Sequence, residues 1–205
     1  MGIDPGIATV GYGIISTKKR KHQKQDLHEK PKVIDFGCII TTTSNSTGER
    51  LEIIHNQIDA LIKKHAPDLI SIESLYFFKN LKTVMPVSQA KGVILLVVAK
   101  NKIPVLEFTP LQVKMTIVGY GKAEKKQVQE MTKQLLDLSG FNLKQKDRKK
   151  DDASDALGIA LCALFKGFTP INNGDMIVVP SEIVGKSGSD FDIDKLNLYL
   201  GNYYK

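Results

Sequence analysis

Three acidic sites in this chain sit where carboxylates can do chemistry. The first is Asp4, between Gly2-Ile3 and Pro5-Gly6. A short apolar strand reaches it, and Pro5-Gly6 then turns the chain sharply. The second is Glu73, which closes the run Asp68-Leu69-Ile70-Ser71-Ile72-Glu73. In that strand Leu69, Ser71 and Glu73 share one face and Ile70 and Ile72 the other. The third is Asp151-Asp152-Ala153-Ser154-Asp155, at the start of a helix. Acids in a first helical turn cap free amides and complement the macrodipole, which accounts for Asp151. Asp155 lies deeper, one turn beyond Asp152 on the same face. Taken singly, each site is ordinary: an Asp before Pro-Gly is a turn former. Brought together, like charges are costly unless a cation sits between them. The question is therefore whether three distant segments converge. No soft-metal cluster competes with them. His55 and His65 are ten positions apart, and Cys38 and Cys162 read as separate, reduced core thiols.

The elements that must position these acids follow from periodicity. Residues 9–17 and 33–42 read as strands, joined by a connection whose 18–32 stretch carries seven Lys/Arg against Asp26 and Glu29. That stretch is too polar to pack and reads as a solvated loop, with a DNA-touching arm as the alternative. Ser46 and Glu49 form a capping-box signature for a helix with Leu51, Ile54, Ile58, Leu61 and Ile62 at helical spacing, ending near Pro67. Strand 68–73 comes next and, after a right-handed crossover, lies parallel to the first strand. That places Asp4 and Glu73 side by side at one sheet edge, where open α/β sheets build their sites.

A helix through about Lys100 follows, apolar all round from Val93 to Ala99. It is expected to be buried on two sides, by a second subunit or by the domain itself. A kink or a helix start is expected at Pro86. Strand 103–108 precedes a helix opened by Thr109-Pro110. Gly119-Tyr120-Gly121 interrupts that helix, and a second helix runs from about Lys122 to Leu138. Residues 144–150, with five Lys/Arg and one Asp, read as a mobile basic loop before the last helix.

Bulk composition bounds the class. The chain has 205 residues, 42% hydrophobic and 25% charged, enough for one well-buried domain. A net charge of +7 favours a polyanionic partner. No signal peptide is visible, and no apolar run approaches the roughly 18 residues of a membrane span, so a soluble, intracellular protein is expected. There are no internal repeats and no glycine-rich nucleotide fingerprint. Domain boundaries are expected at 1–166 for the main domain and 167–205 for a tail, partly disordered or docked.

Five motifs then line up in order: Gly2-Ile3-Asp4-Pro5-Gly6 with Gly11-Tyr12-Gly13; Ile72-Glu73 with Lys79-Asn80; Gln89-Ala90-Lys91-Gly92; Gln112-Val113-Lys114 with Val118 to Lys125; and Asp152-Ala153-Ser154-Asp155-Ala156-Leu157. Together they resemble the RuvC family of Holliday-junction resolvases over about residues 1–166. The resemblance implies an α/β, ribonuclease-H-like fold: a five-stranded mixed sheet, three antiparallel strands then two parallel, flanked by helices. It implies Asp4, Glu73, Asp152 and Asp155 as catalytic carboxylates and metal ligands, the family pattern favouring Asp152 over Asp151. Phosphodiester hydrolysis needs a nucleophilic water and charge stabilisation at the leaving oxygen, which two hard cations about 3.5–4 Å apart supply. Carboxylates suit Mg²⁺, two per site, with Mn²⁺ able to substitute.

The same resemblance implies DNA contacts by Tyr76, Phe77, Lys79, Asn80, Lys114, Lys122 and Lys125. It implies a homodimer nicking opposing strands of a four-way junction, a branch-migration partner of the RuvA and RuvB type, and a cytoplasmic, nucleoid-associated, bacterial-type setting. A catalytically weak junction-binding protein or an RNA-directed nuclease of the same fold is the alternative. An actin-like phosphotransferase shares the strand–Asp–turn opening, but would need two such domains. Three departures from the family pattern stand out. Few residues precede Asp4, so the true start lies upstream or the strand is clipped; the 18–32 loop is long; and the 171–205 tail falls outside the pattern.

Overall fold

The computed structural model describes residues 1–17, 30–74, 81–139, 141 and 149–168. Five strands, β1 (Gly2–Asp4), β2 (Thr9–Ser16), β3 (Lys32–Ile40), β4 (Ile70–Glu73) and β5 (Val105–Phe108), form one sheet in the order β3-β2-β1-β4-β5. The β1–β2 and β2–β3 pairs are antiparallel, while β1–β4 and β4–β5 are parallel. Five helices surround them: α1 (Thr47–His65), α2 (Leu81–Lys100), α3 (Pro110–Val118), α4 (Lys125–Leu135) and α5 (Lys149–Phe168). The expected mixed sheet of three antiparallel strands followed by two parallel ones is present. Met1–Gly167 forms one compact unit.

The sheet buries a core on each face. On one side Ile3, Val10, Ile39, Ile70 and Ile72 pack against Ile54, Ile58 and Ile62 of α1 and Ile94, Val97 and Val98 of α2. On the other side Phe108 packs with Val113 and Ile117 of α3, Val128 and Leu135 of α4, and Leu157, Leu161 and Cys162 of α5. Because side chains alternate along a strand, Ile3 and Ile72 facing the first core send Asp4 and Glu73 toward the second. Those acids therefore point at the layer that holds α5.

How closely α5 can approach is set by glycine. A Cβ on Gly2 would overlap the Ala156 carbonyl oxygen, and one on Gly11 would overlap that of Asp152. One on Gly13 would press on Leu157, its Cδ2 only 2.8 Å away. The β1–β2 ribbon is thus a bare floor on which the α5 backbone rests directly. Ser71 on β4, fully buried, adds a tie by donating from Oγ to the Ile159 carbonyl at 2.9 Å.

Several element ends differ from expectation, each for a local reason. Helix α1 has the expected capping box, Glu49 N donating to Ser46 Oγ and Ser46 N to Glu49 Oε2. It closes on Ala66 in the left-handed region, φ 43°, immediately before Pro67. Helix α2 begins at Leu81 and runs through Pro86. As the sixth residue Pro86 is past the unpartnered first turn, so the helix, rather than starting there, gives up the bond an amide would make to the Lys82 carbonyl. Helix α4 starts at Lys125, later than the expected Lys122, because Glu124 N donates to Gln127 Oε1 and fixes the start there. It ends at Leu135, short of Leu138: Leu136 turns extended, and Asp137 exchanges backbone hydrogen bonds with Pro31 and Val33 beside β3. Helix α5 opens at Lys149, inside the stretch expected to be loop. Cys162 is core, its thiol pushed up to about 12 chiefly by burial, whereas Cys38 on β3 is only half-buried.

The outer face of α2 bears on a choice left open by the sequence. Ala90, Ile94, Val97 and Val98 are buried, but Met85 is 61% and Leu96 52% exposed. Met85 and Leu96, with Gly92 and Ala99, make an exposed stripe at helical spacing that no element among the described residues covers.

Candidate active site

Asp4 ends β1 beside β4, where Ile3 pairs with Ile72. Their register places Glu73 next to Asp4. From above the sheet, the first turns of α5 bring in Asp152 and Asp155, held down by the close contact at Gly11. One carboxylate oxygen each from Asp4, Asp152 and Asp155 lies within 4.8 Å of the others. Glu73 joins from the β4 side, its carboxylate within hydrogen-bond reach of Asp4. Asp151 is exposed and outside this set.

The electrostatics are those of crowded acids. Burial first, then the Glu73, Asp155 and Asp152 carboxylates, push Asp4 up to about 8 against an opposing pull from Lys125. Glu73 is also raised, by burial and then by Asp155. Asp152 is raised mainly by burial. Three acids held above their ordinary range in one cleft mark a place built for positive charge. The oxygen-only donor set suits a hard divalent cation and offers nothing to a soft one.

One cation of the chain already faces the cluster. Lys125 Nζ, on the first residue of α4, lies 2.6 Å from Asp155 Oδ2. Burial is the largest single influence and opposes its charge, but the hydrogen bond to Asp155 and the Asp155, Asp152 and Asp151 charges together outweigh it and hold the ammonium above its usual range. Gln129, one turn along the same helix, donates to Asp155 Oδ1 at 3.4 Å. The sequence reading did not single out Gln129. The i, i+4 spacing from Lys125 was the available signal. Lys114 is half-buried on α3, and Lys122 is exposed on the α3–α4 turn. Tyr76, Phe77, Lys79 and Asn80 lie outside the described residues, as do most of the two basic stretches and residues 169–205.

A mixed sheet with acids at the ends of its first strand and parallel neighbour, met by acids from the closing helix, defines a ribonuclease-H-like nucleic-acid hydrolase. The family model described as "Crossover junction endodeoxyribonuclease RuvC" matches residues 1–163. The chain belongs to this RuvC family. A crossover junction endodeoxyribonuclease of Fusobacterium nucleatum is 46% identical over 186 residues, covering 88% of this chain and 90% of that one. The enzyme of Ruminiclostridium cellulolyticum is 43% identical, covering 79% and 89%. Among solved structures, Thermus thermophilus RuvC in complex with Holliday junction substrate has a TM-score of 0.68 at 26% identity, covering 81% of this chain and 92% of that one. A yeast mitochondrial Holliday junction resolvase, with a TM-score of 0.58 at 16% identity, shares the fold.

Proposed function

We propose that this chain cuts four-way DNA junctions by hydrolysing one phosphodiester in each of two opposing strands. The observation that carries this is the meeting of Asp4, Asp152 and Asp155, with Glu73 at the side of Asp4. The family and the junction-bound relative supply the substrate class.

In this reading Asp4, Glu73, Asp152 and Asp155 hold two Mg²⁺ ions, with Mn²⁺ able to replace them. Bound there, the ions would supply an activated water and stabilise charge on the leaving oxygen. The chain's own part is to present ionised oxygens from three rigid elements at one point. Lys125 steadies Asp155 and adds positive charge beside the phosphate being cut. Lys114 and Lys122 neutralise phosphates of the same strand, fixing its register without reading sequence.

Two sites are needed for paired cuts, and a two-fold dimer meets a two-fold junction naturally. We place the dimer contact on the exposed α2 stripe, where Met85 and Leu96 face outward opposite the helix's core side. A branch-migration complex would deliver the junction, and the setting is the cytoplasm. No helix among the described residues is long and apolar enough to cross a membrane.

A gel assay with a synthetic mobile junction tests the reading. Wild type cuts with Mg²⁺ or Mn²⁺ and not in EDTA, and Asp4→Asn lowers cleavage by roughly a thousandfold, the scale of losing a charge-stabilising group from a site. Its junction affinity stays within about twofold. Near-normal cutting by Asp4→Asn, or equal cutting of RNA or plain duplex, would reject it.

A further inference from the structure

The motif Gln89-Ala90-Lys91-Gly92 has no part in the chemistry above, yet Lys91 has an unusual setting. Its side chain is only 13% exposed, and its Nζ lies 2.6 Å from Glu107 Oε2. The same oxygen accepts from Ser74 Oγ at 3.2 Å. Ser74 is the residue after Glu73, and its backbone N donates to the Phe108 carbonyl at 2.8 Å. Ladder register explains the geometry. Ile72 pairs with Glu107 and Glu73 with Phe108, so Glu107 faces α2 while Glu73 faces α5.

We propose that Lys91, Glu107 and Ser74 form a positioning bracket that holds the end of β4, and through it Glu73, in place beside Asp4. Most Lys–Glu pairs on a protein surface contribute little because both groups remain in water. Here the Lys91 side chain is largely covered although Glu107 stays 45% exposed, and the ammonium is committed to one carboxylate, which in turn holds a strand end. The side-chain tie adds to the backbone bond from Ser74 N to the Phe108 carbonyl, so the end of β4 is held to β5 twice. A shift of the Ser74 peptide would turn the Glu73 carboxylate out of the cluster. Lys91 and Glu107 touch neither metal nor phosphate in this account; they act through Ser74.

The inference rests on the reading of Glu73 as a ligand, and the experiment separates the two. Mn²⁺ affinity is measured by calorimetry without DNA for wild type, Lys91→Met, Glu107→Gln and Lys91→Arg, with melting curves as a fold check. Single-turnover junction cleavage and junction affinity are measured beside it. Lys91→Met and Glu107→Gln are expected to weaken Mn²⁺ binding and slow cleavage by about 10-fold or more, the usual effect of removing a group that orients a ligand. Junction affinity should stay within about twofold, and Lys91→Arg should recover most of both losses. Unchanged Mn²⁺ affinity in folded Lys91→Met overturns the bracket, as does a loss confined to junction affinity. If wild type binds Mn²⁺ but cuts no junction, the nuclease reading fails while the affinities still judge the bracket.

Discussion

At the scale of single residues, Asp4 is the group on which the site turns. Its carboxyl, raised to about 8, binds a proton in the folded protein that the unfolded chain gives up near its ordinary value of 3.8. Between those pH values the folded state holds more protons, so the stability of the metal-free protein falls as pH rises from about 4 toward 8. Thermal melts in EDTA should show that decline, and Mg²⁺ should reverse it at pH 8 by binding the folded state alone. Asp4→Asn should flatten the profile and raise the melting temperature at pH 8. A profile that is the same in Asp4→Asn and wild type would place the titrating charge elsewhere. Asp4 stood out by its Pro5-Gly6 turn, Glu73 by closing a strand and Asp155 by lying beyond the first helical turn, while the choice of Asp152 over Asp151 rested on the family resemblance. Gln129 and the Lys91–Glu107 pair did not stand out, since a polar residue on a helix names no partner until the helix is placed.

Among the elements, α5 and its glycine floor decide whether the acids meet. Gly11→Ala would force the α5 backbone off β2 at Asp152, an overpacking that costs about 1–3 kcal/mol and displaces two of the clustered acids. Denaturant unfolding should register the loss, and cleavage should fall much further than stability. Gly48→Ala serves as the contrast. A Cβ there meets nothing within 4 Å, and the change should be neutral or stabilising by up to about 0.5–1 kcal/mol. Equal behaviour of the two variants would refute the close-packing argument. Strand order and helix sequence were legible from periodicity and from the single crossover that makes β4 parallel to β1. The role of Gly11 and Gly13 was not, because small residues beside an Asp look like open space until a helix is seen lying on them. Helix limits were misjudged where caps overrode apolar spacing: Gln127 fixes the start of α4, and Asp137 leaves it for a partner beside β3.

The whole molecule raises the matter of two sites. The uninterrupted apolar run from Val93 to Ala99 led to the expectation of a second buried side; Met85 and Leu96 are exposed on the outer face of α2, where the proposed dimer would bury them. Leu96→Glu on this stripe should convert a dimer to a monomer in analytical ultracentrifugation, with the melting temperature little changed. The acid cluster would remain intact, so Mn²⁺ binding per chain should persist. A wild type already monomeric at working concentration would remove the dimer from the account.

The central claim is that one cluster of acids, in each of two paired chains, cuts a junction strand. Mapping nick positions on a synthetic four-way junction with Mg²⁺ tests it most directly. Two nicks at symmetry-related positions in opposing strands, absent in EDTA, are the predicted result. Uncut junction, or nicks scattered over duplex arms as readily as at the crossover, would contradict it.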